Sequence, residues 1–448
     1  MSAARELARY AISETLDRIP AAAQHEARRS VLNWLGCAVG GSHHPAVDKA
    51  LKALAPFAAD TACTVLGRRE RTDALNAALI NGLSAHVLDF DDTHLRTLLH
   101  PSVPVASALF ALSERHPISG RDFLLAFIIG VEIECRVANA IWFAHNSHWY
   151  ITGTAGVVGA AAAVARALAL NEMQTTHALG IACAQAAGTR EMAGTMTKAF
   201  IHGRAAQNGL LAALLAQQGF TAAESSLEGT HGLVNVLAPE RDVAQLTRGL
   251  GATYEILTNS YKPFACGVVA HPVIDACIQL RNESRLDPET VEHVALTVNP
   301  RALELTGIKD PPSGLKSKWS IYHSAAVALV DGAAGEHQYT DERVDAPAVL
   351  ALRARTSATG DATVAEIAAH VAITLKDGTV LEKRIDRVVG SAENPMSDRD
   401  LERKVSGLAS GVLSEARTDA LIALTWRIAA LTDVSEVARA AVAHETAT

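Results

Sequence analysis

The segment HWYITGTAGVVGAAAAVARAL, His148 to Leu168, indicates how the larger part of this chain folds. Alanine recurs through it at helical spacing, and Gly153, Gly156 and Gly159 leave room for the backbone of a neighbouring helix. Similar alanine- and leucine-rich segments end at residues that cap or break helices. They are Ala23–Val39, Pro104–Arg115 and Ala205–Gln218. The first part of the chain is therefore predicted to be helical.

A different pattern begins after Lys262. The segments Val291–Pro300 and His370–Ile385 alternate apolar and polar residues, as strands with one buried face do. Within the second segment, Asp377 and Gly378 are typical of a hairpin turn. This part of the chain is predicted to contain a β-sheet.

These patterns predict how the chain divides. Residues 1–262 form the first part of a large all-helical domain, and residues 263–396 form a smaller inserted α+β lid domain. Pro395 breaks the chain, and Ser397 is placed to cap a new helix. Residues 397–448 return to the helical domain. The predicted fold class is mainly α.

Composition narrows the class of protein. With a net charge of −8 and a pI of about 6.1, the chain lacks the basic surface that nucleic-acid binding requires. The six cysteines are scattered without a CxxC pair, and the N-terminal residues lack the apolar core of a signal peptide, which favours the cytoplasm. Apolar stretches such as Phe123–Val131 are shorter than the roughly 20 residues that cross a bilayer, so no membrane association is expected.

The segment HVLDFDDTHLRTLLHPS, beginning at His86, concentrates histidines, aspartates and threonines in an otherwise apolar region. On a continuous helix, four of these side chains would share one face: His86, Asp89, Asp92 and Thr93. Pro101 disfavours helix at the preceding residue, so His100 is predicted to be extended at the start of the next helix.

Three interpretations of this polar segment are open. Its carboxylates and histidines could bind Mg²⁺ or another divalent ion, as acidic motifs of terpene cyclases do. However, the chain is only 4% aromatic, and it offers few rings to stabilise a carbocation. The polar residues could also only cap helices. The third interpretation is proton transfer by the side chains without a metal ion. Polar groups elsewhere in the helical domain favour this third interpretation.

Three further polar sites lie in the apolar region. The helix that begins near Thr152 could hold an anion at its N-terminus, although its glycines could also serve close packing alone. Lys198 stands beside a turn, where a solvated surface lysine is the alternative. Lys262 precedes a proline at the predicted domain boundary, and ligand sites are frequent at such boundaries.

Five ordered motifs resemble the MmgE/PrpD family from about residue 5 to about residue 430. They are LDFDDT with HPS, TGTAG with GAAAA, GTMTK with GRAA, KPFAC with HPVIDA, and KWSIYHSAAVALVDG. The resemblance implies a large helical domain, a smaller lid domain, a homodimer and no cofactor. It also implies a small anionic polycarboxylate substrate, because the family includes 2-methylcitrate dehydratase, cis-aconitate decarboxylase and iminodisuccinate epimerase.

The resemblance also indicates active-site positions. Those that match the family are Asp89, Thr93, His100, Lys198 and Lys262. Two others depart from its pattern: Tyr150 stands where a histidine is usual, with His148 close by, and His323 stands where a tyrosine is usual, preceded by Tyr322. His202 of the third motif is displaced by one residue.

We predict that Tyr150 and His100 transfer protons, provided that neighbouring lysines lower the pKa of the tyrosine from about 10. Lys198 is predicted to stabilise the enolate-like charge formed next to a carboxylate, and Asp89 and His323 to orient or assist. Predicted substrate-binding residues are Lys262, Thr93, His148, Thr152 and Tyr322.

The exchanged tyrosine and histidine favour a cofactor-independent epimerase that inverts a carbon next to a carboxylate in an aminodicarboxylate such as iminodisuccinate. The alternative is a dehydratase or decarboxylase of a 2-methylcitrate-like or aconitate-like tricarboxylate. A metal-dependent lyase or cyclase is a remote alternative. A non-catalytic helical binding protein would not explain several polar sites in one apolar domain.

Overall fold

The computed structural model describes residues 2–145 and 148–443. In chain order, helices α1 to α20 are Ala3–Ser13, Ala21–Gly41, Pro45–Leu54, Ala74–Val87, Ser102–Ser113, Gly120–His145, Ile151–Thr154, Gly156–Ala167, Glu172–Cys183, Met196–Gln217, Leu233–Leu237, His271–Ser284, Pro300–Thr306, Gly314–Ser317, Ile321–Asp331, Asp341–Val344, Pro347–Ala354, Asp398–Ala409, Glu415–Trp426 and Ser435–Ala440. Strands β1 to β8 are Cys63–Thr64, Arg71–Thr72, Thr93–His94, Asn259–Ser260, Val291–Val298, Thr356–Gly360, Ala369–Leu375 and Val380–Ile385. The predicted mainly α fold is confirmed. None of these helices has both the length and the apolar character needed to cross a membrane.

The helical core is built around α8. Helices α5, α6 and α10 pack against α8, and its residues from Gly156 to Ala165 are all buried. A Cβ atom at Gly159 would lie 2.7 Å from the carbonyl oxygen of Gly130 on α6, closer than such atoms approach. Glycine is therefore required where α6 and α8 cross, as the alanine- and glycine-rich segment indicates.

Helix boundaries agree with the sequence patterns in some places only. Helix α5 begins at Ser102, close to the predicted start. Helix α10 begins at Met196 rather than at Ala205. Its first turns bury Lys198 and His202, and these polar residues interrupt the apolar periodicity on which the prediction was based.

The α+β part contains one four-stranded sheet with the order β6-β5-β7-β8. Strands β5 and β6 are parallel, and the other two pairings are antiparallel. The predicted hairpin connects β7 to β8, with Gly378 in the left-handed region at a φ of +87°. Helix α12 packs against β7 and β8, so the sheet has one helix-covered face.

Helix α18 returns the chain to the first helical part. The Ser397 side chain accepts a hydrogen bond from the Asp400 backbone N–H and so caps the helix as predicted. Gly36 of α2 lies directly against Val405 of α18. The division of the chain at residues 262 and 396 stays a prediction.

Glu134 on α6 is buried, and neither of its carboxyl oxygens has a hydrogen-bond partner among the described residues. Burial, reinforced by Asp92, raises the pKa of Glu134 well above its usual value. A carboxyl whose pKa is raised on folding stabilises the fold most below its unfolded pKa. That contribution is lost as the pH rises toward the folded pKa.

Glu134→Gln is expected to raise the melting temperature by at least about 2 °C at pH 8 and to change it little at pH 4. The amide keeps the shape of the protonated carboxyl but cannot ionise. Thermal unfolding across this pH range is the measurement. Glu255→Gln is the matched control, because the pKa of Glu255 is lowered on folding, its carboxyl oxygens lie 3.2 Å from His94 Nε2 and 3.1 Å from Asn139 Nδ2, and the variant should lose stability. An equal response of both variants at pH 8 would contradict the prediction.

Candidate active site

The predicted helical face from His86 to Thr93 does not form, because α4 ends at Val87. Asp89 follows in the left-handed region with a φ of +53°, and its backbone N–H donates to the His86 carbonyl at 2.8 Å. This turn sends the chain away from the helix axis. The prediction that these residues share a face of one helix is wrong, since a continuous helical pattern was assumed.

The turn aims the Asp89 carboxylate at two lysines. Lys198 Nζ, in the first turn of α10, donates to Asp89 Oδ2 at 2.8 Å, and Lys262 Nζ donates to Asp89 Oδ1. Strand β3 pairs with β4 through Thr93 and Ser260, which brings Lys262 beside the turn. The side chains of Asp89, Lys198 and Lys262 are 6%, 8% and 3% exposed, so little water competes for these contacts.

The pKa values of the three side chains in this lysine–aspartate–lysine group shift in different directions. Burial alone would raise the pKa of Asp89, but the two ammonium groups outweigh it and hold the pKa well below its usual value. Burial lowers the pKa of Lys198. For Lys262, burial would lower the pKa, but the charges of Asp89 and Asp91 and the hydrogen bond to Asp89 together raise it. One carboxylate faces two cationic side chains, so the group attracts a further anion.

A narrow cleft opens beside this group. Its walls are Asp89, Thr93, Leu98, His100, Tyr150, Ile151, Arg190, Lys198, Lys262, Gly267, Val268, Val269, Leu305 and Trp319. The structure therefore brings together six side chains singled out from the sequence, namely Asp89, Thr93, His100, Tyr150, Lys198 and Lys262. It adds a cation, Arg190, and an aromatic ring, Trp319, which lies 4.8 Å from Lys198 Nζ.

His100 is held at the cleft wall by its backbone and by one ring nitrogen. Its backbone N–H donates to Thr152 Oγ1 at 3.0 Å. Its Nδ1 lies 2.9 Å from the Asp92 carbonyl oxygen and 3.2 Å from Asp91 Oδ2. Because a carbonyl oxygen only accepts hydrogen bonds, we assign the proton to Nδ1. In the neutral form of the ring, Nε2 then carries the lone pair and can act as a base.

Two further histidines lie behind His100. The rings of His86 and His202 stack at 3.4 Å with an interplanar angle of 10°. Burial lowers the pKa of His86 to about 3 and that of His202 well below its usual value, so both rings are neutral. The Nε2 atoms of both rings lack a partner among the described residues.

These three histidines could in principle gather around a metal ion, because their ligand atoms lie within 4.8 Å of one another. The lone pair of an imidazole nitrogen lies in the ring plane. The planes of His86 and His202 run nearly parallel at 3.4 Å, so their lone pairs do not converge on one point. This arrangement suits stacked neutral rings better than a shared ion. His86, Asp89 and Asp91 form a second possible group of ligands, but Asp89 already accepts from two lysines.

Tyr150 is half-buried at the start of α7, and its hydroxyl has no hydrogen-bond partner among the described residues. Burial, followed by the charge of Asp89, raises the pKa of the phenol. The prediction that neighbouring lysines lower this pKa is therefore wrong, since Lys198 Nζ lies 5.9 Å from the ring centre and is itself paired with Asp89. Tyr150 is suited to donate a proton or a hydrogen bond.

Four residues singled out from the sequence lie outside the cleft walls. Exposed His148 accepts at its backbone carbonyl from the Arg190 N–H. Thr152 is buried and supports His100 from behind. Tyr322 is half-buried on α15, and the buried His323 has its Nε2 2.8 Å from the Gln338 carbonyl oxygen. Their catalytic or binding roles stay predictions.

Sequence reasoning did not single out Arg190, Trp319 or the carboxylate of Asp91. Arg190 begins a single 3₁₀ turn, Arg190–Met192, between α9 and α10, and this turn is too short for a sequence pattern to indicate which side chains point inward. Asp91 is not among the four residues assigned to the predicted helical face, and that face does not form. Trp319 belongs to the KWSIYHSAAVALVDG motif, in which only Tyr322 and His323 were singled out.

A mainly helical protein with a buried lysine–aspartate–lysine group beside a cleft is the class that this fold and site define. Residues 5–246 match the MmgE/PrpD N-terminal domain, and residues 264–428 match the MmgE/PrpD C-terminal domain. The chain belongs to the MmgE/PrpD family.

Similar proteins within the family have known activities. The chain is 28% identical to cis-aconitate decarboxylase of Aspergillus terreus, over 96% of this chain and 94% of the relative. It is 28% identical to cis-aconitate decarboxylase of Mus musculus, over 92% and 88%. It is 25% identical to 2-methylcitrate dehydratase of Cupriavidus necator, over 80% and 79%.

Proposed function

We propose that this protein is a cofactor-independent lyase of a small polycarboxylate. Decarboxylation of a cis-aconitate-like tricarboxylate is the first candidate reaction, and dehydration of a 2-methylcitrate-like hydroxy acid is the second. The observation that carries the proposal is the buried pairing of Asp89 with Lys198 and Lys262 at a cleft that also contains His100 and Tyr150. The named activities of the relatives support a lyase.

The cleft attracts a polycarboxylate by charge. Lys198, Lys262 and Arg190 supply three cationic side chains, and Asp89 supplies the carboxylate among the described wall residues. Fixed cations in a site of low dielectric attract an anion more strongly than bulk water does. The apolar wall of Val268, Val269 and Leu305 would cover the carbon skeleton of the substrate.

In the decarboxylation, the bond between carbon and the departing carboxylate breaks and CO₂ leaves. The bonding electrons form a new double bond, and the original double bond shifts its electrons to the carbon next to a remaining carboxylate. This carbanion is stabilised as an enolate by Lys198 and Lys262, whose charges are already oriented. One proton, donated by Tyr150, completes the product.

In the dehydration, His100 Nε2 would remove the proton next to a carboxylate. The same lysines would stabilise the enolate, and Tyr150 would protonate the departing hydroxyl as water. Asp91 and the Asp92 carbonyl hold the His100 ring so that Nε2 is the basic nitrogen. Both reactions thus use the same enolate-stabilising groups, and they differ in how the carbanion forms.

The epimerase hypothesis stays a prediction with less support than the lyase. It rested on an exchange between Tyr150 and His323, and His323 is bound to the Gln338 carbonyl outside the cleft walls. The homodimer and the cytoplasmic location likewise stay predictions. The remote metal-dependent alternative predicts that chelation abolishes turnover.

Proton NMR in D₂O tests the proposal with chelator-treated protein. We expect cis-aconitate to lose CO₂ and to give a product with a terminal olefinic CH₂ group and one deuterium on carbon. Turnover of 2-methylcitrate with a new olefinic signal would place the protein with the dehydratases. Deuterium exchange and stereochemical inversion in iminodisuccinate alone would overturn the lyase in favour of the epimerase. Loss of turnover on chelation, with recovery on adding metal, would contradict cofactor independence.

Arg190→Gln is expected to raise KM about tenfold and to change kcat less, because a charge-assisted contact with a carboxylate contributes about 1.5–3 kcal/mol. Steady-state kinetics with the substrate found by NMR is the measurement. Arg121→Gln is the matched control, since the exposed Arg121 pairs with Asp17 and does not line the cleft. An unchanged KM in the Arg190 variant would remove this residue from substrate binding.

A further inference from the structure

Asp89 occupies a backbone position that normally favours glycine. Helix α4 ends at Val87, Leu88 is its C-cap, and Asp89 adopts the left-handed conformation immediately after it. Glycine is the usual residue there, because a Cβ atom makes this conformation unfavourable. A catalytic carboxylate in this position needs surrounding contacts that hold it.

Three lysines supply such contacts, each to one of three successive backbone carbonyls. Lys318 Nζ donates to the Leu88 carbonyl at 2.5 Å. Lys262 Nζ donates to the Asp89 carbonyl at 3.1 Å. Lys404 Nζ donates to the Phe90 carbonyl at 2.6 Å. Cations at the C-terminal end of a helix are favourable, because the carbonyls there lack partners within the helix.

Two of these lysines also bind the segment that carries Lys262. Lys404 Nζ donates to the Lys262 carbonyl at 2.8 Å, and Lys318 Nζ donates to the Ala265 carbonyl at 2.8 Å. Each of them therefore joins the Asp89 turn to the 262–265 segment. Two such joints, one on either side of Asp89, fix the distance between the Asp89 carboxylate and the Lys262 ammonium.

We propose that Lys318 and Lys404 are positioning residues that act through Asp89. Neither side chain lines the cleft that holds His100 and Tyr150. Lys404 projects from α18, and Lys318 follows α14, so the turn is held from two separate parts of the chain. Together with Lys262, they form a carbonyl clamp on residues 88–90.

The cost of burying these lysines supports a positioning role. Burial lowers the pKa of Lys318 and lowers that of Lys404 to about 8. Lys404 also donates to Asn33 Oδ1 at 2.7 Å, so three acceptors surround its ammonium. An apolar side chain would avoid the desolvation that a buried ammonium incurs, whereas only a donor can fix two carbonyls at once.

Hydrogen–deuterium exchange of the intact protein tests the clamp without reference to any reaction. In Lys318→Met and Lys404→Met, we expect amides in residues 88–94 to exchange at least about tenfold faster, while the core of α8 stays unchanged. The control is Lys383→Met, because Lys383 on β8 pairs with exposed Glu283 of α12. Unchanged exchange at 88–94 in both clamp variants would overturn the proposal. If a methionine variant does not fold, the corresponding Lys→Gln variant is measured in its place, and faster exchange at 88–94 is still expected, because the shorter glutamine side chain does not reach both carbonyls.

A double-mutant cycle tests the link to Asp89, and this arm rests on the proposed function. In the otherwise unchanged protein, Lys404→Met is expected to lower kcat/KM for cis-aconitate about tenfold. In the Asp89→Asn protein, the same change should lower it less than about twofold, because the group on which Lys404 acts is already altered. A tenfold loss in both proteins would show that Lys404 acts independently of Asp89 and would overturn the proposal. If cis-aconitate is not turned over at all, the lyase is contradicted and the exchange experiment still decides the clamp.

Discussion

Lys262→Met is expected to lower kcat/KM for the tricarboxylate substrate by about a thousandfold. Removing one preorganised donor to a developing anion costs about 10²–10³ in rate. Here the same change also frees one oxygen and the backbone carbonyl of Asp89. We therefore expect an effect at the upper end of this range, in kcat more than in KM.

Two controls separate a loss of catalysis from a loss of stability. They are the variant Lys383→Met and the melting temperature of each variant. Loss of one partner from a buried ion pair destabilises a protein by about 3–5 kcal/mol, so some loss of stability is expected in the Lys262 variant. Activity is measured at a temperature at which both variants are folded by circular dichroism. A loss of activity smaller than tenfold in folded Lys262→Met would exclude Lys262 as the main stabiliser of the enolate.

Tyr150→Phe is expected to lower kcat at least about a hundredfold, because general acid catalysis contributes about 10²–10⁴. The change removes only the hydroxyl, which has no partner among the described residues, so the melting temperature should not fall. Since burial raises the pKa of the phenol, Tyr150 stays protonated past its usual pKa near 10. The pH profile of kcat should therefore contain no ionisation of this group below pH 10.

Tyr10→Phe is the matched control for this measurement. The hydroxyl of Tyr10 is also buried without a partner in the described part of the chain, and Tyr10 lies in α1, away from the cleft. Both variants should melt like the parent protein, and only the Tyr150 variant should lose turnover. Full activity in folded Tyr150→Phe would remove Tyr150 from the mechanism and leave His100 as the proton donor to be tested.

Part of the fold and of the site could be predicted because it depends on local patterns. The period of apolar residues identified the helices, and Asp377 with Gly378 identified the hairpin. The ordered motifs predicted that Asp89, Lys198 and Lys262 belong to one site, and both lysines contact Asp89.

Other parts depend on distant contacts that leave no local pattern. The left-handed turn at Asp89 breaks a helical period that appears continuous in the sequence, and donors from distant segments hold it. Arg190 lies in a single 3₁₀ turn, so the direction of its side chain depends on the neighbouring elements. His323 stands where the family usually has a tyrosine, and this position alone does not reveal that the His323 ring contacts a backbone carbonyl outside the cleft.

The carbonyl clamp has a consequence for synthesis of the protein. A ribosome makes Asp89 early, whereas Lys318 and Lys404 are added more than two hundred residues later. The nascent chain can form much of its helical core while the turn at Asp89 still lacks two of its donors. Catalytic competence should therefore arise late, when α18 leaves the ribosome and docks against α2, and incomplete chains should be inactive even where their helices have folded.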